Sequence, residues 1–362
     1  MSKLIVEVCK IEEIQNHPNA DRLDVVRIKG WWSIVSRNQY KVGDLVVFIP
    51  PDAVLPNEMI EEFKLDFVRK GGRVKTCKLR GFISQGLILS TNILSGKWKE
   101  GENVANALGI KKYEPPVSKT CNLNGGRQVT KKKLNPLFDK YTDIDNIKNY
   151  NTVFTTDDRV IITEKIHGTN FRAGNLPVYS RTIIGWIKKY LLRKDYEFCY
   201  GSHNVQKKPF SRNKGWYGDD VYGRIAKKYD LANVLPKDYI LYGEIYGHKI
   251  QELTYGMDDI DLVVFDIKKN GKYLDFDEVV MFCRENKIPN VPIIYVGEFN
   301  QDILNQSTNC TSRLAQEKGI TQIAEGCVVK CVIDEMHPRV GRKILKSISS
   351  DYLLTKNRTE YH

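Results

Sequence analysis

Residues 160–172 read V-I-I-T-E-K-I-H-G-T-N-F-R. The β-branched run 160–163 predicts a buried strand that brings Glu164 and Lys165 to its end. Gly168 permits a tight turn and a close approach of backbone or ligand, and Phe171 returns the chain to apolar packing. The stretch therefore predicts a strand–loop–strand with one lysine at the mouth of a site and a polar cluster around it. The pattern K-x-x-G-x-N is short, and alone it describes any edge-strand lysine beside a turn. What gives it weight is the order of the clusters behind it.

Five such clusters follow. V-Y-S-R-T (178–182) is a strand end carrying Arg181, and I-L-Y-G-E-I-Y-G (240–247) is a buried strand with Glu244 between two glycines. D-L-V-V-F-D-I (261–267) offers Phe265, I-A-E-G-C-V-V-K (323–330) presents Glu325 before a strand, and V-G-R-K-I-L-K closes the series at 340–346. Each alone is an ordinary strand with a charged end. Together they supply a lysine, two carboxylates, an arginine, an aromatic ring and terminal lysines. Neither G-x-G-x-x-G nor G-x-x-x-x-G-K-[ST] occurs, so a bound nucleotide is not held by a Rossmann or P-loop device.

A chain of 362 residues has length enough for two domains, each with its own core. Strands alternating irregularly with helical patterns from Val160 onward predict an α+β arrangement with antiparallel sheets. No run of about 18 apolar residues is present, and the first residues lack an apolar h-region, so neither a membrane span nor a signal peptide is expected. The eight cysteines are scattered without zinc-ribbon spacing. Cys327 and Cys331 are expected as buried free thiols on one strand face, which suits the cytoplasm or another reducing compartment. The net charge of +12 points to a polyanion. Residues 181–228 concentrate it, with twelve Lys or Arg against four acids. Trp186, Tyr190, Phe210, Trp216 and Tyr217 interleave that run and could stack on bases, although 184–194 alone also reads as a solvated helix face.

Residues 1–110 read as an all-β unit, with strands expected at 4–9, 23–29, 45–49, 73–79 and 86–90, closing as a five-stranded Greek-key barrel. His17 is expected in a turn. Residues 111–159 read as a connector, loose around Pro115-Pro116, Gly125-Gly126 and the 131–133 lysine run, then more ordered, with Asp143 as N-cap of a short helix. Residues 160–362 form the second domain.

H-P-N-A-D-R-L-D-V-V-R-I (17–28), K-V-G-D-L-V-V-F-I-P (41–50) and L-R-G-F-I-S-Q-G-L-I-L-S (79–90) resemble the strands of tRNA-binding OB domains. E-K-I-H-G-T-N-F and the ordered clusters behind it resemble the covalent nucleotidyltransferases, and within them the nick-sealing ATP-dependent RNA ligases with an N-terminal OB domain. DNA ligases and capping enzymes place that domain after the lysine domain, whereas only sixteen residues follow Lys346 here.

The resemblance implies an ATP- and Mg²⁺- or Mn²⁺-dependent enzyme that joins RNA 3′-OH and 5′-phosphate ends, as a monomer acting on nicked duplex with no membrane partner. Lys165 becomes the nucleophile that forms lysyl–AMP. An unperturbed lysine, with a pKa of about 10.4, is only about 0.1% neutral near pH 7.4, so its surroundings and a divalent metal must favour the free amine. The resemblance gives the α-phosphate to Lys346 with a second basic group, and metal or ribose duties to Glu244 and Glu325. Arg181 falls to ribose or phosphate, Phe265 to stacking on adenine, and Glu164 to the adenine edge. Ile166 and Lys330 are expected at the nucleotide, and His167 and Asn170 at the sealing step. The family ends this series with K-x-K, but Lys343 and Lys346 are three apart and face opposite ways on a regular strand. Lys343 and Arg342 therefore compete for the second role. Ser202 and Asn204, in 200–208, contact either the site or RNA. Two alternatives stay open: a non-catalytic RNA-binding protein on the same scaffold, and a DNA ligase.

Overall fold

The computed structural model describes residues 3–65, 68, 71–114, 135–207, 219–355 and 358–359. Outside them lie 115–134, with both turn pairs, the lysine run and Cys121, and 208–218, with Lys208, Arg212, Lys214 and the aromatics at 210, 216 and 217. The chain forms two units. The first gathers Met1–Val117, Asp143–Thr155 and Leu345–His362, and the second gathers Ser118–Thr142 and Thr156–Ile344. The stretch 111–159 is thus shared between the units rather than standing apart.

In the first unit, Glu7–Lys10, Leu45–Ile49 and Leu87–Ser90 form one antiparallel sheet, and Glu13–Asn16, Leu23–Ile28 and Trp31–Ser36 form a second. Valines, isoleucines and Trp31 fill the interior between them. The Trp31–Ser36 strand goes unseen in the sequence because its hairpin turns on Lys29-Gly30 rather than Asn-Gly, with Lys29 taking the positive φ of 53°. Gly30 is required by contact: a Cβ there would lie 2.8 Å from the Lys148 Cα, and its amide donates to the Lys148 carbonyl at 3.1 Å. Residues 147–149 are so clipped to the hairpin, with the Trp31 indole donating to Asn149 Oδ1 at 2.9 Å. The cap expected at Asp143 is Asn146 instead, whose side chain accepts from the Lys148 amide ahead of one 3₁₀ turn, Ile147–Asn149. Asp143 is displaced because Asp145–Asn146 is a short strand pairing parallel with Leu345 and Lys346. His17 is a buried latch in its turn, accepting from the Asn19 amide and bonded to the Leu79 carbonyl.

In the second unit, an antiparallel sheet runs in the order Tyr196–Gly201, Thr169–Pro177, Tyr239–Gly247, Ile260–Lys269, Lys272–Tyr273. The strand Arg159–Glu164 pairs antiparallel with Ile293–Glu298 on one side and Gly326–Cys331 on the other. The helices Val221–Lys228 and Phe276–Glu285 cover the first sheet with Val221, Ile225, Val279 and Cys283. Cys327 and Cys331 are buried free thiols, and all seven cysteines among the described residues are unbonded.

Candidate active site

Lys165 leaves the end of Arg159–Glu164 with its amide donating to the Gly326 carbonyl at 3.0 Å. Because Glu164 stands opposite Cys327 in the register, Lys165 comes beside Glu325. Its ammonium lies 2.7 Å from Glu325 Oε1 and is only partly exposed, while Glu325 is buried. His167 Nδ1 lies 3.4 Å from the other oxygen of Glu325. Gly168 is a forced choice at the following position: a Cβ would fall 2.1 Å from the Ile245 carbonyl oxygen. That close approach brings the loop against the Tyr239–Gly247 strand, where Asn170 pairs in register with Glu244. Lys165, His167, Asn170, Glu244 and Glu325 thereby gather in one place.

The two carboxylates are driven apart in acidity. Burial pushes Glu244 up to about 8, the Glu325 charge adds to this, and Lys165 and the Gly168 amide pull against it. Burial also pushes Glu325 upward, but Lys165 and His167 outweigh it and hold the carboxyl down at about 2. The signs for stability are therefore opposite. Glu244 ionises in the unfolded chain from about 4.5 but in the folded chain only near 8, so its burial costs stability progressively as pH rises through that window. Glu325 stabilises the fold above about 4.5 and loses this as pH falls towards 2. In chelator, the melting temperature of wild type relative to Glu244→Gln should fall by several degrees between pH 5 and pH 8.5. Parallel profiles for the two proteins would refute the assignment.

Glu164, the strand residue just before Lys165, is buried. Its Oε2 accepts from the Arg313 and Leu314 amides at 2.9 and 3.2 Å, while its Oε1 is buried with no hydrogen-bond partner. Asn170 Oδ1 is likewise buried and unpartnered. Such atoms are costly unless a ligand satisfies them. Two carboxylates and an amide oxygen are hard donors, which fit a divalent cation such as Mg²⁺ or Mn²⁺.

The strand register explains how Phe265 is presented. Tyr242 pairs with Asp266 and Gly243 with Val264, which leaves Phe265 as the extra residue of a bulge. Its ring packs edge-on against Tyr141 at 4.7 Å. Ile166 is buried in the apolar cluster with Tyr246, Tyr255 and Val263, against which Phe265 packs.

Other expected residues have different surroundings. Lys330 and Arg342 both reach buried Asp266, at 3.2 and 2.5 Å, and Arg342 also bonds Asp334 and lies 3.7 Å over the Tyr273 ring. Lys343 pairs with Asp158 and lies 3.7 Å from Glu335. Asp158, Cys331 and Glu335 could otherwise group around a metal ion, but the ammonium of Lys343 already supplies the positive charge there. Arg181 is an exposed turn residue. Lys346 belongs to the first unit, is buried, and pairs in register with Asn146. The Ser202 carbonyl accepts from Arg172 Nε, and Asn204 Oδ1 accepts from Lys140.

Two tyrosines escaped the sequence reading. The Tyr255 hydroxyl accepts the His167 amide at 2.6 Å, and Tyr141 donates to Asp266 at 2.7 Å. Both act across 88 and 125 residues of chain, a range at which local pattern carries no signal.

A family model described as RNA ligase matches residues 158–348, and an OB-fold domain model matches residues 5–91. The chain belongs to the RNA ligase family, with an OB-fold domain ahead of the ligase region. No curated protein sequence matches it. Among solved structures it is similar to Naegleria gruberi RNA ligase: a mutant with ATP and Mn shares 22% identity over 96% of this chain and 98% of that one, with a TM-score of 0.72. The same ligase with PPi shares 21% over 97% and 98%, also at 0.72, and a further mutant with ATP and Mn reaches 0.73 at 21%, over the same shares. At these identities the likeness speaks for the fold.

Proposed function

We propose that this protein is an ATP-dependent RNA ligase that joins RNA 3′-OH and 5′-phosphate ends, sealing nicks in duplexes through lysyl–AMP and RNA–adenylate intermediates. The observation that carries the reading is Lys165, held partly exposed against Glu325 with Glu244, His167 and Asn170 gathered around it. In the first step the Lys165 amine attacks the α-phosphorus of ATP, a P–N bond forms and pyrophosphate leaves. In the second, an oxygen of the RNA 5′-phosphate takes the adenylyl group and Lys165 is released. In the third, the 3′-OH attacks that phosphate and AMP departs.

The residues divide the work. Glu164 Oε1, buried without a partner, accepts from the adenine amino group, and Phe265 stacks on the base. Glu244 and Glu325 hold the divalent cation, which neutralises phosphate charge when bound. His167, oriented through its amide by Tyr255, and Asn170 serve the sealing step. By resemblance Lys346 takes the α-phosphate. Arg342 is committed to Asp266 and Lys343 to Asp158, so either must release its acid to take the second basic role. Arg181 and the basic residues that follow Lys194 in the segment 181–228 contact the RNA backbone, and the OB domain binds RNA. The unbonded cysteines fit a reducing compartment.

Nicked duplexes carrying RNA or DNA on the 3′-OH strand test the reading. We expect ligation when that strand ends in RNA. Sealing of the all-DNA nick alone would refute RNA ligation, and failure to seal any nick, with no AMP adduct, would leave an RNA-binding scaffold.

A further inference from the structure

The turn 183–192 exposes the densest group of large apolar side chains among the described residues. Ile183 is 81% exposed, Leu191 66% and Leu192 60%, with Ile187, Trp186 and Tyr190 also open to solvent. Monomeric surfaces rarely leave so much apolar area together unless something covers it. Around it the charge is mainly basic: residues 181–194 contain five basic residues and no acid, and of these Lys188 is paired with Glu197 at 2.5 Å. The solvated helix face that the sequence allows does not describe this, because the side chains in solvent include aliphatic ones as well as lysines.

Charge and residue type decide which partner suits it. The backbone makes one α turn, Ile183–Trp186, and continues as a π turn, Ile187–Leu191. Ile183, Ile187 and Leu191 follow one another at four-residue steps, with Trp186 and Tyr190 beside them, so the apolar groups share one side of the turn. RNA offers charge and flat bases, but it has no sink for isoleucine and leucine. An anionic bilayer accepts such an apolar side and attracts the basic rim. Trp186 and Tyr190, whose rings pack at 5.6 Å, are the residue types that settle at headgroup level.

We propose that the 183–192 turn docks the protein on the surface of an anionic phospholipid membrane, with Ile187 and Leu191 entering the acyl boundary and Lys189, Arg193 and Lys194 meeting the headgroups. This departs from the expectation of no membrane partner, and it asks for no spanning segment: among the described residues no helix is long and apolar enough to cross a membrane.

The test is flotation of the full-length protein with phosphatidylcholine vesicles, pure or containing phosphatidylserine at roughly 7:3. The wild type should float with the mixed vesicles and not with the neutral ones. The Ile187→Asp/Leu191→Asp variant should partition at least about tenfold less, since both charges would have to enter the apolar boundary. Because both side chains are exposed, the variant should fold, and formation of the AMP adduct at the wild-type rate checks this independently. Absence of wild-type flotation, or equal flotation by the variant, overturns the proposal. A variant that loses affinity for nicked RNA while wild type ignores both vesicles would assign the turn to RNA instead.

Discussion

Replacing Lys165 by arginine should abolish the covalent AMP adduct, with intact mass after incubation with ATP and Mg²⁺ showing unmodified protein where wild type gains one AMP. Arginine is the informative substitution because it keeps the positive charge that Glu325 requires. Glu325 is buried, and its carboxyl stays ionised through Lys165 and His167 against the effect of burial. Lys165→Ala would strip one partner from that buried anion and so mix loss of chemistry with loss of fold. A guanidinium reaches the same carboxylate but is no nucleophile at neutral pH. Lys165→Arg should therefore melt close to wild type, still bind ATP, and lose overall ligation on the order of 10³-fold or more. Given RNA that already carries a 5′-adenylate, it should recover part of the sealing step, because the lysine bond is formed and broken before that point. An AMP adduct in Lys165→Arg would move the nucleophile elsewhere and sink the assignment.

The sequence shows the nucleophile stretch and its two carboxylates plainly because each is a charged residue that interrupts or borders an apolar strand run. Lys165 follows Val160–Glu164, Glu244 sits between glycines, and Glu325 precedes Gly326–Cys331. Period and punctuation are local signals, and these survive without tertiary knowledge. Lys330, Arg342 and Lys343 illustrate the opposite case. Their strands were legible, but whether a basic side chain meets a nucleotide or an acid of the same protein depends on Asp266 and Asp158, which lie 64 or more residues away. Phe265 reads as an apolar strand residue, while the bulge that presents it arises only because Tyr242 pairs with Asp266 and Gly243 with Val264. In the first unit, Leu23–Ile28 was legible through its β-branched run, and Trp31–Ser36 was masked by a Lys-Gly turn. The return of 143–155 to the first unit depends on Gly30 and Trp31 meeting Lys148 and Asn149, contacts that no composition shift announces.

Asp266→Ala should be among the most destabilising single changes in the second unit, by about 3–5 kcal/mol, because it leaves two buried cations without their shared anion. Asp266 is fully buried, with Lys330 at 3.2 Å, Arg342 at 2.5 Å and the Tyr141 hydroxyl donating at 2.7 Å. Burial alone would raise its carboxyl, but Lys330 and Arg342 outweigh burial and hold it below the ordinary carboxylate range. Its contribution is accordingly complete above its unfolded pKa and is lost as pH falls below about 4. Urea unfolding at neutral pH should show a lower midpoint with unchanged slope, and adding Lys330→Met to Asp266→Ala should recover part of the loss, since one orphaned cation is then removed. The same cluster also reaches the site. Tyr141, bonded to Asp266 and Arg342, braces the Phe265 ring, so Asp266→Asn, which keeps the shape and removes the charge, should loosen that ring. At temperatures where Asp266→Asn remains folded, the expected signature is a weaker apparent affinity for ATP in AMP-adduct formation with little change in its maximal single-turnover rate. Destabilisation below about 1 kcal/mol in Asp266→Ala would show that the cations find other partners and that the cluster does not hold the strand ends in place.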